Sequence, residues 1–165
     1  MQNLSTYLND HLAGSVGALE LIDHLIESGD HAAMTAFLKS LREEIEADQE
    51  VLKNLLSDLS EEESAARKAG AWILEKVSRV KLQIGTNDGG LGMLQALEVL
   101  SLGIMGKRAL WRALAKASSS LPALSALDYL RLEAQAADQF DRVEGKRLEI
   151  AHEVLIGRGD ANKST

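Results

Sequence analysis

A single proline, Pro122, punctuates 165 residues. Proline breaks helices because it lacks an N–H and clashes with the preceding turn, so its near-absence lets long helices run uninterrupted. The apolar residues use that freedom. Placed at about 100° per residue, they form helical stripes in five segments, and no segment alternates as a half-buried strand does. The first (about 3–27) sets Leu4, Leu8, Leu12, Val16, Leu19, Ile22 and Leu25 on one face, and Ser28-Gly29 stops it. The second (about 31–58) repeats Met34, Leu38, Leu41, Ile45, Leu52, Leu55 and Leu59. The third (about 61–84) opens on Ser60 with Glu63 three residues on, a capping box, and carries Ala66, Ala69, Ile73, Val77, Val80 and Ile84. Gly85-Thr-Asn-Asp-Gly-Gly90 then breaks the chain. The fourth (about 91–117) is apolar nearly all round, which marks it as the central helix, and Ser118 to Pro122 end it. The fifth (about 124–156) carries Leu130, Ala137, Phe140, Leu148, Ala151 and Leu155.

Short turns between the early segments make them antiparallel neighbours. The expectation is one all-α domain over 1–157, an up-and-down bundle of four long helices plus one additional helix, with a polar tail over 158–165. Whole function classes fall away on composition. With no cysteine, disulfides, thiolate nucleophiles, iron–sulfur clusters and Cys-ligated zinc are excluded. A net charge of −7 argues against a sequence-independent grip on nucleic acid or anionic lipid. The most apolar stretch, 91–106, is broken by Gln95 and Glu98 and falls short of the roughly 20 residues a membrane span needs. The opening residues MQNLSTYLND carry neither a basic nor an apolar leader region, so a cytoplasmic protein is expected.

Polar residues on the apolar stripes carry the functional information, because an unpaired buried charge is costly. Asp48 sits at the centre of the second segment's leucine seam, with Glu44 one turn earlier. In the fifth segment the seam 130, 133, 137, 140, 144, 148, 151, 155 includes Glu133 and Glu144. His11 falls on the first segment's seam, and Lys107 on the strongly apolar side of the fourth. Two chemistries suit such a set. One is a metal or ligand site between helices, built from His11, Glu44, Asp48, Glu133 and Glu144. The other is a salt-bridge network in which Lys107, Arg147 and His11 answer the carboxylates. Asp48 is expected to be buried and bonded to a base from another helix, with Lys107, His11 and Arg147 as candidates in that order.

The helix lengths, the pairing of the first two segments and the inward carboxylates resemble a ferritin-like four-helix bundle. LNDHLAGSVGALELIDHL (8–25) is similar to the first helix of such families, and LREEIEADQEVLKNLL (41–56) to their second. SLGIMGKRALWRAL (101–114) is similar to a phrase in a group of bacterial proteins with no established activity. Ferritin-like di-iron proteins take a Glu from two helices and a Glu-x-x-His from the other two. Here only Glu149-Ile-Ala-His152 has that spacing, and Glu20 and His24 stand four apart. The resemblance therefore implies a bundle without the di-iron set: no catalytic residue, no cofactor, and a non-catalytic interaction or scaffold role. The alternative is an iron- or manganese-binding oxidoreductase or storage protein. Trp72 and Leu74 lie off the third segment's stripe and the fourth segment is apolar nearly all round, which implies a homodimer and leaves room for another protein partner.

Weaker signals have plainer explanations. Gly89-Gly90-Leu-Gly92 lacks the spacing of a dinucleotide loop and reads as a turn. Arg108, Arg112 and Lys116 form a stripe suited to a helix C-terminus, with an acidic partner or a phosphate as its functional alternative. Met93 and Met105 read as core filling, and Gly103-x-x-Gly106 as a close helix contact.

Overall fold

A computed structural model describes residues 2–29, 32–60 and 90–157. The third segment with its stripe, the loop before Gly90, the off-stripe Trp72 and Leu74, and the tail 158–165 lie outside the described residues. Among the described residues the fold is all helical. Helix α1 spans Gln2–Ser28, α2 Ala32–Ser60 and α3 Gly90–Ala117. A 3₁₀ turn (Ser118–Ser120) and the four-residue α4 (Pro122–Ser125) then lead into α5, Tyr129–Ile156. No helix among them is long and apolar enough to cross a membrane.

The fifth segment begins later than its apolar pattern suggests. Leu121 is extended, Pro122 takes the first turn of α4, and a fresh helix starts where the Asp128 side chain accepts the Arg131 amide at 3.1 Å. A carboxylate at that position satisfies an N–H that the first turn leaves without a partner. At its other end α5 stops on Gly157, whose φ of +85° suits a residue without Cβ.

The long helices, each about 40 Å at 1.5 Å per residue, pack as two close pairs, α1 with α2 and α3 with α5. Cross-helix partners give the directions. Asp23 meets Arg42 and Ser15 meets Gln49, so α2 runs antiparallel to α1. Arg108 meets Glu133 and Gly90 lies against Val154, so α5 runs antiparallel to α3. Asp48 meets Gln139 and Glu44 meets Arg142, so α5 is also antiparallel to α2. It follows that α2 and α3 run parallel, on opposite corners of the bundle.

Leu8, Ile22, Leu38, Leu41, Leu97 and Trp111 are fully buried where the helices meet. Each such side chain contributes roughly 1.5–3 kcal/mol of burial. Two expectations about helix faces need correction. The buried face of α5 is Tyr129, Leu132, Ala136, Gln139 and Val143, one residue away from the expected seam. Leu130 is 82% exposed, and Leu148 and Leu155 are also exposed, so Glu133 and Glu144 sit beside the core and not within it. One residue is a turn of about 100°, enough to exchange a buried face for a flank. Likewise α3 is not covered all round: Leu91, Val99, Leu102 and Met105 face outward, so Met105 does not fill the core, whereas Met93 packs against it.

Candidate functional site

Two of the buried polar residues, Asp48 and Gln139, meet at one point. Asp48, 7% exposed, projects from α2 between α3 and α5. Lys107 of α3 donates from Nζ to Asp48 Oδ2 at 2.5 Å and to Gln139 Oε1 of α5. Gln139 Nε2 closes the triangle by donating to Asp48 Oδ2 at 3.3 Å. One turn along α2 and α5, Arg142 donates to Glu44 at 2.5 Å and holds Asp138 at 2.7 Å. Asp48 and Glu44 are four apart on α2, and Gln139 and Arg142 three apart on α5, so each pair faces the same way. The inner cluster thus holds Asp48 and Glu44 against Lys107 and Arg142, with exposed Asp138 at its outer edge, and bridges three helices.

Its electrostatics follow from burial. Desolvation pushes the Lys107 ammonium below its ordinary range, and Asp48 and Glu44 act in the opposite sense. The Arg142 guanidinium is raised by its hydrogen bond to Glu44. Half-buried His11 is held below its usual value by desolvation, opposed by Asp10, and its ring meets Tyr7 edge to face at 4.8 Å.

The other expected site residues are placed elsewhere. Glu133 is answered by Arg108 at 3.2 Å and Arg112 at 3.8 Å, and by none of Lys107, Arg147 and His11; that pairing also gives the basic stripe of α3 its acidic contact within the chain. Glu144 pairs with Arg147 on its own helix at 2.5 Å. The structure therefore brings Glu44, Asp48 and Lys107 together but leaves His11, Glu133, Glu144 and Arg147 outside their hydrogen-bonded cluster. Gln139 is the member that charge-based reasoning misses. Among the described residues no three His, Cys, Asp or Glu side chains are grouped to hold a metal. The five-residue metal set is accordingly not assembled, since Glu44, Asp48, Glu133 and Glu144 each have a basic partner instead. In Glu149-Ile-Ala-His152 both polar side chains are exposed, and Glu149 is paired with Lys146.

Beside the cluster the helices separate. A cavity of about 540 Å³ lies between α1, α2 and α3, with Asp48, Lys107, Gln49 and His11 among its lining. Gln49 is tied across its wall to Ser15 Oγ at 3.0 Å. On the far side Asp48 borders a groove of about 620 Å³ between α2 and α5. No family model matches the chain, and neither a curated protein nor a solved structure matches it.

Proposed function

We propose that this chain is a ferritin-like bundle without a di-iron centre, acting in the cytoplasm as a non-catalytic, homodimeric interaction protein. The observation that carries this is the neutralisation of its inward carboxylates. Asp48 is held by Lys107 and Glu44 by Arg142, where a metal centre would need those oxygens for coordination. An ammonium at 2.5 Å from Asp48 occupies the place of a cation and repels another. The parallel course of α2 and α3 supports the ferritin-like connectivity, which requires one long crossover between its helix pairs. The exposed apolar residues of α3 support an interaction surface.

Elemental analysis of the purified protein tests this directly. We expect no stoichiometric iron or manganese, and no rise in melting temperature on titration with either ion. A stoichiometric metal, or a saturable stabilisation by one, would overturn the proposal.

A further inference from the structure

The 540 Å³ space is a cleft that opens to solvent between α1 and α3, and its walls show how it is made. Gly14 and Gly17 on α1 face Gly103 and Gly106 on α3, and a Cβ added at any of the four would meet nothing within 4 Å. Glycine is the poorest helix former after proline, so four of them lining one space serve the space and not the helices. Gly14, Val99 and Gly103 are exposed, which places the mouth between α1 and α3. Leu21, Ile45, Leu52, Leu100 and Leu110 line it with apolar surface.

We propose that this cavity binds an uncharged, largely apolar small molecule whose single hydroxyl or carbonyl group meets the Asp48–Lys107 pair. The volume falls within the roughly 300–1,000 Å³ of ligand pockets, which combine apolar walls with a few convergent polar groups. Charge balance sets the ligand's class. At the inner end of the cavity Asp48 and Lys107 neutralise each other, as do Glu44 and Arg142 behind them. The lining also carries His11, held below its usual range, and Asp10 next to it on α1, so the balance holds at the Asp48–Lys107 end where the ligand's polar group would sit. A carboxylate would compete with Asp48 for the ammonium and bring in an unbalanced charge, and an amine would do the same to Lys107. An uncharged oxygen disturbs neither. Lys107 has three N–H donors, of which Asp48 and Gln139 take two, so a donor remains for that oxygen. This site does not depend on the ferritin-like relation: it would stand in any bundle with these walls.

The uncharged, environment-sensitive dye Prodan, which carries one carbonyl, is the probe. Its emission should shift to the blue in the full-length protein and saturate. Gly103→Leu and Gly17→Leu each fill the cavity from a different helix; circular dichroism checks that each variant folds. Either folded variant should weaken dye binding by at least about ten-fold. Decanol should displace the dye at about a tenth of the concentration needed for decanoate or decylammonium. Absence of a saturable shift, or a shift of equal affinity in both folded glycine variants, overturns the site. Displacement by decanoate or decylammonium as readily as by decanol overturns the ligand class.

Discussion

Lys107 owes its place to Asp48, because burial disfavours its ammonium and the carboxylate at 2.5 Å offsets part of that penalty. Removing the lysine alone with Lys107→Met leaves Asp48 charged, buried and short of its main donor. That should cost about 3–5 kcal/mol, whereas Asp48→Leu combined with Lys107→Met should cost far less. Urea melts of the two single variants and the double one form a cycle that reads the coupling. Simple addition of the single effects would remove the pair as a structural unit. A second residue-scale consequence concerns His11, whose imidazolium is disfavoured by burial. Its native value lies below 6.5, so in that window the unfolded chain binds more protons than the folded one. The stability present above the unfolded value is therefore lost as pH falls from 6.5 through the lowered native value. His11→Gln should flatten the fall in urea midpoint between about pH 7 and pH 5. Equal falls in both proteins would show that His11 is not the titrating group.

At the scale of the element, α5 shows where helix boundaries and faces come from. Its start rests on Asp128, and Asp128→Ala should lower stability by about 1 kcal/mol while Asp128→Asn, which keeps the capping oxygen, should lose much less. Thermal melts of the two variants decide it; an equal loss in both would mean the cap contributes through charge alone. The four helical segments that fall on described residues were legible because leucines at helical spacing need no tertiary information to be recognised. Asp48 and Lys107 were legible for a related reason, as charges inside apolar stripes. The rotation of α5 was not. Leu130, Leu148 and Leu155 make one helical stripe while Tyr129, Leu132, Ala136 and Val143 make another, and only the neighbouring helices choose between them. Gln139 lies on the buried stripe and carries no charge, so a search for ionisable residues passes over it. The cavity was equally hidden: glycines at 14, 17, 103 and 106 are consistent with close contact or with open space, depending on how far apart α1 and α3 stand.

For the whole molecule, the outer face of α3 decides the assembly. Leu102 is 67% exposed, and Leu91, Val99 and Met105 lie near it on the helical wheel. Single exposed apolar residues are ordinary on any protein, but several on one face of one helix mark a surface that gains by being covered. A second copy is the occupant proposed above, and two-fold pairing would set the same face of each α3 against the other. Light scattering at tens of micromolar protein should then give twice the chain mass of 17.9 kDa. Leu102→Glu with Met105→Glu places like charges opposite one another in such a pair, and should give the single-chain mass with unchanged helical circular dichroism. These positions lie outside the Asp48–Lys107 cluster, so a folded, monomeric variant isolates the interface from the core. Native protein that scatters as one chain at that concentration would rule out the dimer. A double variant that still scatters as two would move the interface off this face.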